Sequence, residues 1–268
     1  CSPGRRMWSA WRGLLQNKYD KSISKSRKCK LIRMYGESGV GIMNKQDYIY
    51  LYWKNYISIE KEFTQTLNYV SLAEENYDTY SSAYIKILLQ LGSEINIVAK
   101  SYCQYLDKEF KGDKMSDYRS EIIKRKTDFS TTEVKILQSR TIFSVKPWES
   151  WGIFKEDNTA ETPNWWKAYN KVKHDRYGNG CINNMERDYY KFANLEYTLY
   201  SLAGLYQLLI YFYFDLAKED RIQVPLPGSR MFALSGGKWD DMLFYQDSAF
   251  YIDSSNGHFY MQSGSFAY

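Results

Sequence analysis

Residues 164–180, NWWKAYNKVKHDRYGNG, hold one of only two histidines in the chain. At about 100° per residue on a helix, Lys167, Asn170, Lys171 and His174 share one arc, whereas Trp165, Ala168, Tyr169 and Val172 take the opposite side. One face packs; the other gathers donors beside an imidazole. Two lysines next to a histidine suit an anion such as phosphate, and a neutral imidazole there can act as a general base. An ordinary charged helix with a surface histidine has the same pattern.

The rest of the chain must position that stretch. Its 268 residues, 44% of them hydrophobic, are enough for a substantial core. The aromatic share of 18%, mostly 26 tyrosines, suits residues at the border of a core with hydroxyls outward. From Lys45, Ile49, Trp53, Tyr56, Ile59, Glu60, Phe63, Leu67 and Val70 keep the spacing of one helix face, which predicts a first helix over 46–75. ENYDTYSS breaks it, with Thr79 or Ser81 as the next N-cap. Tyr84, Leu88, Leu91, Ile95, Val98 and Tyr102 then form the stripe of a second helix over 80–111, packed antiparallel to the first.

Residues 112–162 read as an insertion, with a charged helix at Ser116–Thr127 followed by one or two short extended pieces in TTEVKILQSRTIFSVKPWESWGIF. Thr162 as N-cap and Pro163 at the first helical position open a third helix, which is expected to stop by Gly178 or Gly180. A fourth is expected over Asn184–Lys218. Its uncharged run, Tyr197 to Phe214, approaches the length of a membrane span, but Tyr, Thr, Ser and Gln punctuate it and Glu196 and Asp215 close its ends. A bundle's central helix, apolar nearly all round, is the better reading. After Pro225, Gly236-Gly237 and MLFYQDSAFYI predict a small hairpin or extended strap over 225–268.

Charge is uneven. Residues 1–42 carry ten Lys or Arg against Asp20 and Glu37, a net of +8, while the remainder, with 26 basic and 29 acidic residues, is at −3. This basic arm lacks sustained periodicity and an apolar signal core, and is expected to be poorly ordered. The chain begins with Cys, and MNKQDYIYLYWKNY from Met43 reads like a natural start, so residues 1–42 are expected to be upstream or non-native and are assigned no function. Cys1, Cys29, Cys103 and Cys181 are scattered, with no CxxC or Cys/His cluster, so neither a metal site, a cofactor nor a disulfide framework is expected. A reducing cytoplasm is the expected compartment, without membrane attachment.

Two long helices, the second containing NYDTYSSAYIKILLQLGSEINIVAK, followed by WWKAYNKVKHDR and a very apolar last helix, resemble the HEPN superfamily over residues 44–218. The resemblance implies an all-α fold: an antiparallel four- to five-helix bundle over 43–224, with the short extended insertion and β-like tail outside it. It also implies dimerisation, for which Trp148, Trp151, Trp165 and Trp166 offer apolar contact. Many HEPN proteins are metal-independent endoribonucleases of toxin–antitoxin or phage-defence systems, so RNA and an antitoxin protein are implied partners.

Their motif is an arginine, four to six residues, then histidine. Here His174 matches the histidine and Asn170 lies one turn earlier, but Lys167 gives Lys-x6-His and Tyr169 occupies the position five before. Lysine lacks arginine's planar, bidentate phosphate contact. By the resemblance, His174 would move the proton as RNA 2′-hydroxyl attacks the adjacent phosphate, leaving a cyclic phosphate. Lys167 and Lys171 would stabilise the phosphoryl oxygens, and Asn170 would hold the histidine or the phosphate. Arg176 and Arg187 are further phosphate-binding candidates, and Glu94 resembles an acidic residue held against the motif helix. The alternatives are a degenerate bundle that binds RNA, nucleotide or protein, and a purely structural oligomerisation domain.

Overall fold

The computed structural model describes residues 43–153, 161–217, 225, 227–236, 239, 250–253 and 258–261. The basic arm lies outside them, as does most of MLFYQDSAFYI. The described chain is mostly helical, with a few small antiparallel strands.

Asn44 caps α1 (Lys45–Tyr48) by accepting from the Asp47 amide at 2.9 Å. A π-helical turn, Ile49–Trp53, joins it to α2 (Lys54–Thr66). Tyr48 and Trp53 are five residues apart, about 140° apart on an α-helix, and the wider turn lets both face inward. Both are fully buried, and their polar tips are satisfied by Leu209 O and Pro227 O at 2.7 and 2.8 Å. The first helix ends at Thr66, short of the expected 75. The hydroxyls of Thr64 and Thr66 turn back to Glu60 O and Phe63 O, and a 3-10 turn, Glu74–Asn76, follows.

Ser81 caps α3 (Ser82–Leu106), its hydroxyl accepting from the Tyr84 amide, as the sequence suggests. The helix stops at Leu106 rather than 111 because Asp107 turns extended and its carboxylate takes the Glu109 amide. The charged helix in the insertion is α4 (Met115–Arg125). β1 (Glu133–Ile136) then lies between β2 (Ser144–Val145) and a late strand, β5 (Phe232–Ser235), with Val134 opposite Val145 on one side and Leu234 on the other. The C-terminal segment thus completes a small sheet begun in the insertion. Trp53 and Glu60 tie the segment before β5 to the α1–α2 region: Trp53 donates to Pro227 O, and the buried Glu60 carboxylate accepts from Ser229 Oγ and the amide of Arg230. Near the C-terminus β6 (Phe250–Asp253) pairs antiparallel with β7 (His258–Met261).

α5 (Asn164–His174) starts on Pro163, which has no side-chain cap hydrogen bond, so Thr162 is not the N-cap. It ends before the glycines: Asp175 is extended and its Oδ1 accepts from the Tyr177 and Gly178 amides, an Asx turn. The last helix, expected from Asn184, begins eleven residues later, as α6 (Leu195–Leu216). Between the two, β3 (Asn179–Ile182) and β4 (Met185–Asp188) form a hairpin around Asn183 and Asn184, whose φ values of 51° and 61° are left-handed. Two such residues are what a tight two-residue hairpin requires, and they cannot start a helix.

α6 packs against α3 and α5 and is buried nearly all round. Several of its polar side chains are satisfied internally, although Gln207 Oε1 has no hydrogen-bond partner among the described residues. Thr198 and Ser201 bond back one turn, Gln207 donates to Phe129 O at 2.6 Å, and Asp215 accepts from Lys126 Nζ at 2.6 Å and Tyr102 OH at 2.7 Å. Among the described residues, no helix is long and apolar enough to cross a membrane.

Candidate functional site

The face assignment along α5 holds residue by residue: Trp165, Ala168, Tyr169 and Val172 are buried. Trp165 donates to Pro147 O at 2.8 Å. Tyr169 fills the space that a side chain at Gly92 of α3 would need, since a Cβ there would come within 2.2 Å of the Tyr169 ring. The position five before His174 is therefore part of the packing between α3 and α5. An arginine there would have to bury its guanidinium.

On the outer face, His174 is exposed at the C-terminal end of α5, and Asn170 is half-buried one turn before it. Lys171 places its Nζ 4.4 Å from the centroid of the Tyr189 ring, which follows β4. Gly180 of β3 permits this approach: a Cβ there would meet Tyr189 at 2.9 Å and Lys171 Nζ at 3.1 Å. Lys171, Lys173 and His174 also lie at the end of α5, where cations complement the helix dipole, so their placement has a structural reason of its own.

The remaining candidates are more dispersed. Lys167 lies about 10 Å along the axis from His174. Its Nζ is engaged by Glu161 Oε1 at 3.3 Å and Asn164 Oδ1 at 3.0 Å. Arg176 is exposed just beyond the helix. Arg187 of β4 pairs with Asp78 at 3.1 Å and lies 5.6 Å from the Phe192 ring, which ties the hairpin to the turn before α3. Glu94 is half-buried on α3, two residues and hence about 200° around the helix from Gly92, where α3 meets Tyr169. Asn170, Lys171, His174 and Arg176 thus lie at or just beyond one end of α5, with Arg187 across the hairpin from Gly180, which Lys171 Nζ approaches, while Lys167 lies two turns earlier and Glu94 on a different side of α3 from the Tyr169 contact.

The tryptophans expected to offer a dimer surface correct that expectation. Trp148, Trp151 and Trp165 are buried, with Trp148 donating to Gly204 O of α6 at 3.0 Å. Trp166 is half-buried beside Tyr169, ring centroids 4.9 Å apart. Trp148, Trp151 and Trp165 pack among the insertion, α5 and α6 and are not exposed to a second copy.

Sequence reasoning missed the β3–β4 hairpin and, with it, Tyr189. The signal was present in CINNMERD, where two Asn between short alternating segments favour a tight turn. Tyr177, at the loop between α5 and β3, is almost fully exposed and adds a second aromatic ring to this end of the molecule. Residues 164–192 carry six Lys or Arg and His174 against three acidic residues. Among the described residues, no group of three or more His, Cys, Asp or Glu is placed to hold a metal. No family model, curated protein or solved structure matches the chain.

Proposed function

We propose that this chain is a HEPN-like antiparallel helical bundle that binds single-stranded RNA at the end of α5 and the adjoining hairpin. The observation that carries the reading is Lys171 held over Tyr189, beside exposed His174, Arg176 and Tyr177 and half-buried Asn170. Cations interleaved with aromatic rings suit a flexible, charged strand: the cations meet phosphates and the rings meet unstacked bases. Asn170 and His174 add hydrogen-bonding groups to the same surface. A binding role asks less of this site than catalysis, because Tyr169 stands in the core at the expected arginine position and Lys167 is engaged by Glu161 and Asn164.

The test is fluorescence anisotropy with a labelled single-stranded RNA across a salt series. Lys171→Ala is expected to weaken binding and to flatten the slope of log affinity against log salt by about 1. Wild-type protein that binds no RNA at low salt sinks the proposal.

A second reading, metal-independent RNA cleavage, is favoured by one feature: His174 is solvent-facing, with Asn170 and Lys171 on the two adjoining positions of its face. In it, His174 removes the proton from the attacking 2′-hydroxyl, which forms the new bond to phosphorus as the 5′-oxygen leaves and takes a proton from water, and Lys171 stabilises the phosphoryl oxygens. Cleavage that persists in excess chelator and disappears in His174→Ala would establish it.

A further inference from the structure

The β3–β4 hairpin has only two strands, and a two-stranded hairpin on its own is marginally stable in water. How firmly it holds Tyr189 against Lys171 therefore depends on its ties to the bundle. Arg187 of β4 makes two of them. It stands opposite Gly180 of β3, the position whose missing side chain lets Lys171 Nζ approach Tyr189. Its side chain is 15% exposed, with Nη1 3.1 Å from Asp78 Oδ1. The guanidinium also lies 5.6 Å from the ring of Phe192, which is fully buried at the end of the 3-10 turn Tyr189–Phe192.

Asp78 is a firm anchor for that guanidinium. The backbone on both sides of it is pinned by the start of α6: Leu195 N donates to Thr79 O at 2.9 Å, Glu196 N donates to Tyr77 O at 3.2 Å, and Tyr80 forms an isolated antiparallel bridge with Asn194. Glu196, on the first turn of α6, is a second carboxylate in the same charge cluster. Burial and Asp78 raise its pKa, and Arg187 lowers it. A guanidinium so largely removed from water needs partners of this kind.

We infer that Asp78 is a positioning residue for the surface formed by α5 and the hairpin: by pairing with Arg187 it keeps the hairpin docked, with Tyr189 against Lys171, so that an acidic side chain raises the affinity of this surface for single-stranded RNA. The inference rests on the RNA reading. It runs against simple electrostatics, in which a carboxylate close to a bound polyanion only repels it. It also gives Arg187 a role other than phosphate contact, because the guanidinium is committed to Asp78 and Phe192.

The experiment is fluorescence anisotropy of the full chain with a labelled oligouridylate of about ten nucleotides. Asp78→Asn is compared with Glu75→Gln, which removes the same charge from an exposed position in the same loop. Asp78→Asn is expected to weaken binding about two- to fivefold, as the docked fraction of the hairpin falls. Glu75→Gln should not weaken it, and Asp78→Glu, which keeps the carboxylate, should retain wild-type affinity. In a Lys171→Ala background the effect of Asp78→Asn should shrink, since both changes act on one contact. Amide hydrogen exchange across residues 179–188 should speed up in Asp78→Asn while the helices keep their protection.

Three outcomes would each overturn the inference: Asp78→Asn binding as tightly as wild type or more tightly, an equal effect in the Lys171→Ala background, or unaltered exchange across the hairpin. Wild-type protein that binds no oligouridylate sinks the RNA reading instead, and the exchange measurement then decides alone whether Asp78 holds the hairpin.

Discussion

Tyr169 of α5 lies against Gly92 of α3 so closely that a single added methyl group at Gly92 would stand 2.2 Å from its ring. This contact sets how near the two helices come and fixes the rotation of α5, which turns Asn170, Lys171 and His174 outward. It also accounts for an aromatic residue five positions before His174: the space between the helices accepts a flat ring, and a guanidinium there would be buried.

Gly92→Ala is therefore expected to destabilise the fold by about 1–3 kcal/mol through overpacking, although alanine is the better helix former. Urea denaturation measures this. Tyr169→Arg, which would create the Arg-x4-His spacing typical of HEPN proteins, is expected to cost more than Gly92→Ala and to confer no RNA cleavage. Unchanged stability in both variants would mean that α5 is free to shift away from α3.

His174 makes no side-chain hydrogen bond or ion pair among the described residues and is exposed. His174→Ala should leave the melting temperature nearly unchanged, within about 0.5 kcal/mol of wild-type stability. A loss of RNA binding or cleavage in that variant then reports on the surface and not on folding. A large drop in stability would instead make the imidazole a structural group.

The sequence carried the interior better than the connections. Burial at Trp165, Ala168, Tyr169 and Val172 follows from helical spacing alone, because one packing face imposes one period. The Ser81 cap was legible for a similar local reason, since a hydroxyl placed just before an apolar stripe satisfies an otherwise orphaned amide. The β3–β4 hairpin went unread although its two turn asparagines were visible: four-residue strands are too short for periodicity to stand out, and the apolar run that follows drew the expected helix start back to Asn184. The tryptophans could be recognised as apolar cover but not assigned to an interior or an exterior, which depends on the path of the insertion over α6. The pairing of β1 with β5, nearly a hundred residues later, leaves no local trace.

Asp215 is 1% exposed and accepts from both Lys126 Nζ and Tyr102 OH, joining α6 to α3 and to the residue just after α4. Removing the cation leaves the buried carboxylate without its lysine, with Tyr102 OH still donating to it. Lys126→Met is expected to cost about 3–5 kcal/mol, and adding Asp215→Leu to that variant should recover part of the loss by removing the buried charge. A double-mutant cycle in urea measures both effects; a Lys126→Met protein as stable as wild type would show that the pair contributes nothing.

Alkaline pH tests the buried aromatic interior as a whole. Burial, reinforced by neighbouring acidic groups, raises Tyr118 and Tyr197 to about 12, and burial together with Glu121 and Asp117 raises the Cys103 thiol to about 12. Burial likewise drives Tyr48, Tyr56 and Tyr102 well above the ordinary tyrosine range. In the unfolded chain the thiol ionises near 8.5 and the phenols near about 10, while the folded protein still holds these protons. The unfolded state thus binds fewer protons across this window, and stability must fall as pH rises through it. The contribution is intact below about pH 8 and declines between about pH 9 and pH 12. Melting temperatures measured at rising pH should therefore drop steadily above about pH 9. In the native protein at neutral pH, alkylation should label exposed Cys181 well ahead of buried Cys103. A melting temperature that stays flat to about pH 11 would show that these hydroxyls and the thiol titrate in the folded protein as they do in the unfolded chain.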